Sequence, residues 1–242
     1  MDIVPSLLES IQRSFFEKLE RNKQIKRVKK LIIDGDATYE EAQIYAVELG
    51  KILSESYEEH ITVEVLPDGR MYFNIADRIL SPTLKNNYTM TVEVTAEIQE
   101  QLNHKAGFRL KAVEPKVDVD RIEGIVNRIS REVNFEDIAW ILKEPIINFT
   151  QSAVDETLKQ NVDFQGRSGV KAKIIRTAYG ADPCDWCLSL EGTYEYPNVP
   201  QDVYKRHENC RCGVEYHVDG KRQNVWTKHW LDSVSGGNRR VD

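Results

Sequence analysis

All four cysteines of this 242-residue chain lie between residues 184 and 212. The stretch CDWCLSLEGTYEYPNVPQDVYKRHENCRC arranges them as CxxC and then HxxCxC. Thiolates and an imidazole at this spacing are donors that a zinc ion takes up. Zinc needs four ligands at tetrahedral corners, with sulfur at about 2.3 Å and nitrogen at about 2.0–2.1 Å. Two intervening residues let Cys184 and Cys187 reach one centre from a single turn. In CxC, the side chains of Cys210 and Cys212 share one face of an extended strand, because side chains alternate there. His207 makes a fifth candidate for four places. The set Cys184, Cys187, Cys210 and Cys212 is preferred, with His207 an alternate ligand or a supporting group. Cys184, Cys187, His207 and Cys210 form the competing set. The 22 residues from 188 to 209 suit the loop of a structural zinc site. Closing that loop would couple metal binding to the folding of a small module.

Other chemistries are open to the same residues. Reduced cysteine packs as a small hydrophobe, so the four could simply fill a core. They could also form disulfides, or one could be a catalytic thiol. A thioredoxin-like CxxC needs a surrounding βαβ pattern, and none is present. His207 and His217 could act as general bases, but spacing alone positions no carboxylate beside either. The opening MDIVPSLLESIQRSFF has neither a basic n-region nor an unbroken apolar run, so no signal peptide is expected. No stretch approaches the roughly 18–20 apolar residues that span a bilayer. Synthesis in a reducing cytoplasm follows as the expectation, and it makes disulfides the weaker reading.

The net charge is −6, with 40% hydrophobic and 30% charged residues, which suits a globular protein and not one that coats nucleic acid over its whole surface. The charge is unevenly placed. RNKQIKRVKK, residues 21 to 30, holds six basic residues and no acid, whereas residues 31 to 60 hold eight acids against Lys51. A solvated helix end is the simpler reading of the block. Its members Arg21, Lys23, Lys26, Arg27, Lys29 and Lys30, together with Arg239 and Arg240, are also the candidate phosphate contacts.

The elements that must carry these groups are mainly helical up to residue 165. Val4, Leu7, Leu8, Ile11, Phe15 and Leu19 make one apolar stripe, which predicts a helix running to about Lys30. Thr38 and Glu41 form a capping box that opens a second helix through Leu53. The run ITVEVLPDGRMYFNI predicts a β-hairpin at 61–75 around Pro67-Asp68-Gly69. Helix resumes at about 83–104, against the β-branched run Thr89 to Thr95. Asp118 or Asp120 caps the next helix, a short one follows near 135–143, and Pro145 opens another reaching about Val162. DFQGRSGVK then marks a loop or hinge. KAKIIRTAY and RCGVEYHV read as strands, with Asp219-Gly220 as a turn into KRQNVW. The predicted fold class is α+β: a helical body over 1–165, a small α+β module around the cysteines over 166–230, and a flexible tail at 231–242.

RTAYGADPCDWCLSLEGTY and YKRHENCRC together resemble the C-terminal motif of minor head proteins of tailed bacteriophages, the Mu F-like head-morphogenesis family and its minor capsid relatives. That family carries an arginine-bearing strand, a CxxC followed by a short helix and a glycine, an aromatic linker, and a His-Pro-Asn-Cys-Arg-Cys stretch. Arg176, Cys184, Cys187, Gly192, His207, Asn209, Cys210, Arg211 and Cys212 occupy the matching places, and Glu208 stands where proline is frequent. The match covers Ile174 to Val214.

The resemblance implies a non-enzymatic structural protein, present in a few copies per particle, that acts in head assembly at the portal and in handling packaged or ejected DNA. It implies portal, capsid or scaffold proteins as partners, with DNA as a further candidate and no membrane. The place expected is the host cytoplasm during assembly and then the phage head. The alternative is a metal-dependent nuclease on an HNH or treble-clef-like zinc module, suggested by the closeness of His207, Asn209 and His217. Such enzymes need a further histidine on a helix after the knot. Here that region is a DG turn followed by NVWTKHW, in which only His229 could serve.

Overall fold

Val4, Leu7, Ile11 and Phe15 bury one stripe of α1 (Val4–Arg21), and Pro5 occupies its first turn. The structure, a computed structural model, describes residues 2–178, 184–207, 210 and 212–218, with the backbone of 222–223 and 230–231. The first helix does not run on to Lys30. Asn22 leaves the helical conformation, and its side chain caps α2 (Lys23–Asp34) by accepting from the Ile25 N–H at 2.9 Å. Its amide also donates to Glu48 at 2.9 Å, which ties the corner to the next helix. That helix, α3 (Tyr39–His60), opens on the expected Thr38–Glu41 capping box but runs a further turn or more past Leu53. The tyrosines of α3 lie in the core: Tyr39, Tyr45 and Tyr57 are all buried.

No hairpin forms at 61–75. Thr62 to Leu66 is a turn, Pro67–Gly69 is a 3-10 helix, and α4 (Phe73–Lys105) already begins within the predicted second strand. Asp68 and Gly69 both take left-handed backbone angles, φ 53° and 64°. Ahead of the helix, the buried apolar residues of the segment are Ile61, Leu66 and Met71. They recur every five residues and not every two, so they point inward from a folded loop and not from a pleated strand. The helix also starts earlier than residue 83 and passes straight through Pro82, because Ile75, Ile79, Leu80 and Leu84 are buried along one side. The β-branched run inside it is accommodated as well. Thr91 and Thr95 donate their hydroxyls to the Asn87 and Thr91 carbonyls at 2.9 and 2.7 Å, so neither hydroxyl is stranded in the core.

Residues 106–118 return along the bundle without regular structure. Asn161 holds this segment by donating to the Val113 carbonyl and accepting from the Val113 N–H, each at 2.8 Å. Asp118 then caps α5 (Val119–Arg131), followed by α6 (Phe135–Ile138), a 3-10 turn (Ala139–Leu142) and α7 (Glu144–Arg167). The segment DFQGRSGVK is less of a loop than its two glycines suggest, for α7 continues through Gly166 and ends at Ser168. Gly166 lies against the Tyr196 ring so closely that a Cβ would overlap it.

The sheet is antiparallel, with β1 (Ala172–Thr177) between β2 (Gly192–Glu195) and β3 (Gly213–Val218). The short helix α8 (Asp185–Ser189) precedes β2. Ala172, Ile174, Val214 and Tyr216 join the same apolar core as the helices. The fold is therefore α+β, a helical body with a small sheet and a cysteine cluster near its C-terminal end. The turn at Asp219-Gly220 and the tail from residue 232 lie outside the described residues. Between them the backbone of β4 (Arg222–Gln223) pairs with β5 (Trp230–Leu231).

Helices α3 and α7 pack closely at Gly50. A Cβ at Gly50 would stand 2.8 Å from the Ile147 Cα, and backbone cannot retreat as a flexible side chain can. Gly50→Ala should cost about 1–3 kcal/mol in equilibrium unfolding by urea. Gly124→Ala, on an open side of α5, serves as the control. There the helix-propensity gain of up to about 1 kcal/mol should appear instead.

Candidate metal centre

Cys184 caps α8, its thiol accepting from the Cys187 N–H at 3.4 Å. One turn of helix thus carries the CxxC pair, with Cys184 exposed and Cys187 buried. The second half arrives from the other side: His207 leads in from the 3-10 turn Gln201–Tyr204, and Cys210 and Cys212 are both buried just before β3. His207 Nε2 stands 2.9 Å from the Cys187 sulfur and 3.2 Å from that of Cys184. The Cys187 and Cys210 sulfurs are 3.9 Å apart. Two triads result, Cys184–Cys187–His207 and Cys187–Cys210–Cys212, with the donor atoms of each within 4.8 Å of one another.

These separations suit a metal. Four thiolates at about 2.3 Å from a tetrahedral centre lie roughly 3.8 Å apart, and a thiolate and an imidazole nitrogen roughly 3.6 Å. The Cys187–Cys210 distance matches, and the His207 distances are a few tenths of an ångström short. The Cys/His cluster could therefore hold a metal ion, and all five residues singled out by spacing converge on it. Cys187 is the vertex common to both triads.

Burial pushes the Cys187 and Cys212 thiols above their ordinary range, with neighbouring thiols adding to the effect at Cys187. At Cys210 burial acts in the same direction but is outweighed. The Cys212 backbone N–H and the nearby Arg206 charge hold that thiol below its ordinary value.

Arg206 was not singled out from the sequence, and it joins the cluster to the helical body. Its guanidinium donates to the Cys212 carbonyl at 2.7 Å and lies 4.0 Å from the Cys210 sulfur. On its other side it forms a two-pronged ion pair with Asp155 of α7, through Nε and through Nη2 at 2.8 Å. Both side chains are only 3% exposed. Gln43 of α3 donates to the same carboxylate at 2.9 Å. Asn148, also on α7, donates to the His207 carbonyl at 3.2 Å. The one sequence signal for this pairing is an acid at a core-facing position of α7, where Val154 and Leu158 are buried neighbours.

Two clefts flank this junction. One, of about 780 Å³, runs between α4, α5, α7 and residues 204–206, and its charged lining is evenly mixed: Lys116, Arg121 and Arg206 against Asp118, Asp155 and Glu156. The other, of about 370 Å³, is lined by Gln24 of α2 and by Cys212 among others. All six cations of the 21–30 block are exposed, and Arg27 approaches Glu41 at 3.9 Å. The block is thus near the cluster but contributes nothing to it. Glu208, Asn209, Arg211, His229, Arg239 and Arg240 lie outside the described residues. His217 faces solvent on β3, 3.1 Å from Glu215. No helix among the described residues is long and apolar enough to cross a membrane. Comparison with protein-family models, curated proteins and solved structures finds no match to this chain.

Removing one partner of a buried ion pair leaves the other uncompensated, at a cost of about 3–5 kcal/mol. Asp155→Ala should therefore lower unfolding stability by that order. The double replacement Asp155→Leu with Arg206→Met should lose less than Asp155→Ala alone, read from denaturation midpoints.

Proposed function

We propose that this protein is a non-enzymatic structural component of a tailed-phage head, in which a zinc-bound knot fastens a small sheet to a helical docking body. The supporting observation is the convergence of CxxC and HxxCxC, distant in sequence, onto one cluster clamped to α7 by Arg206 and Asp155. This is the motif on which the resemblance to Mu F-like minor head proteins rests. Zinc is the proposed ion because the donors are thiolates and imidazole with near-tetrahedral spacing. Portal, capsid or scaffold protein is the proposed partner of the helices. The exposed cations of α2, with Arg21, are the proposed DNA contacts. A metal-dependent nuclease is the less favoured reading: His207 is turned into the cysteine cluster, and the side-chain hydrogen bond of His217 among the described residues goes to Glu215.

Metal analysis of protein purified without added zinc should find close to one zinc per chain, lost in Cys187→Ser; folded wild-type protein without metal would end the knot. Sequence-independent DNA binding should weaken steeply with rising salt, because it depends on counterion release. Alanine at Lys26, Arg27, Lys29 and Lys30 should flatten that salt dependence; an unchanged slope would remove α2 as the contact. Plasmid should stay intact with magnesium or manganese, and cutting abolished by His217→Ala would favour the nuclease instead. For the head role, the test is antibody labelling of purified heads from a virus encoding the chain, and assembly in its absence. Heads that lack the chain and assemble normally without it would sink the proposal.

A further inference from the structure

Arg176 sits where the strand pattern calls for an apolar residue. Along β1 the buried positions alternate as Ala172, Ile174 and Arg176, and Arg176 is only 2% exposed. Its Nη1 donates to the carbonyls of Val203 and, at 3.1 Å, Lys205. The guanidinium carbon lies 5.5 Å from the centre of the Trp186 ring, and that indole meets His207 edge-on at 5.7 Å. Nε and Nη2 are buried without a hydrogen-bond partner, and no carboxylate among the described residues pairs with the group.

A guanidinium stays ionised in any protein environment. Burying that charge opposite nothing but two neutral carbonyls and a ring face is strongly unfavourable. Arg206, the other arginine at the cluster among the described residues, is already neutralised by Asp155. Among the described residues, the cysteines are the anionic groups buried near Arg176, and the Arg176 charge acts on Cys212. Trp186 belongs to the CxxC turn, and Lys205 immediately precedes Arg206 and His207.

We infer that Arg176 is a positioning residue for the metal centre, its buried positive charge cancelling the negative charge that zinc-bound thiolates leave behind. The inference rests on the metal reading above. Three thiolates and one imidazole around zinc carry a single net negative charge, which one unpaired arginine balances. Four thiolates would carry two. Arg176 therefore favours a set that includes His207. Its carbonyl bonds also hold the Val203–Lys205 segment so that His207 enters the cluster at the right height.

Charge compensation and simple hydrogen bonding predict different behaviour when metal is removed. Arg176→Gln keeps an amide donor but loses the charge, and Arg176→Lys keeps the charge. Zinc affinity by chelator competition and denaturation midpoints with and without zinc are measured for wild type and both variants. Arg176→Gln should weaken zinc binding by about 10- to 100-fold, the range for groups supporting metal ligands, and Arg176→Lys should lose less. The Arg176→Gln stability penalty should be present with zinc and vanish or reverse after chelation, because the neutral side chain no longer strands a charge. The same penalty in both states, or equal affinity in both variants, would overturn the charge role while leaving the zinc knot standing. Wild-type protein that takes up no zinc would overturn both.

Discussion

The Asp155–Arg206 pair is withdrawn from water on both sides, so each charge depends on the other for compensation. The pair is the buried charge contact that ties the cysteine cluster to α7. Asp155 is fixed on α7 and braced by Gln43 of α3, and Arg206 reaches from it to the Cys212 carbonyl and the Cys210 sulfur. A buried pair is a weak source of net stability, but its geometry is demanding, and that favours one docking position over others. The module cannot slide along α7 without separating the charges.

A second polar system repeats the arrangement at the other end of the sheet. Tyr216 of β3 donates to Gln165 of α7, whose amide meets Asn103 of α4 at 2.7 Å. Gln99 bonds the same Asn103 oxygen and accepts from Tyr39 of α3 at 2.6 Å. The small sheet is thus registered on three helices by hydrogen bonds made away from solvent, where an unmade bond is costly. Apolar contact supplies the cohesion of this core, and the polar groups specify which surfaces meet.

Helix positions were largely legible from the chain, since Ile122, Ile125, Val126 and Ile129 or the Thr38–Glu41 box act over one or two turns. The misread segments have a common cause. At 61–75 the alternation was real but short, and burial of Ile61, Leu66 and Met71 against the helices prevailed over it. The helix expected at 83–104 formed across the β-branched run Thr89 to Thr95 but began ten residues earlier and includes Pro82; packing of α4 on its neighbours and hydroxyl bonds to preceding carbonyls offset the local propensity. Asn22 ended a helix that its periodicity would have continued, because its side chain could cap the next one and reach Glu48.

The sequence by itself determined the five donors, their order and the turn that brings Cys184 and Cys187 together, because all of these are local. Only the tertiary structure decided that His207 joins that turn, that Cys187 is the shared vertex, and that Arg176 and Arg206 attend the cluster. Arg206 finds Asp155 across 51 residues, and Arg176 becomes buried only when β1 is covered. Such pairings arise from desolvation, which has no period in the sequence and exists only once the chain has closed over the charges.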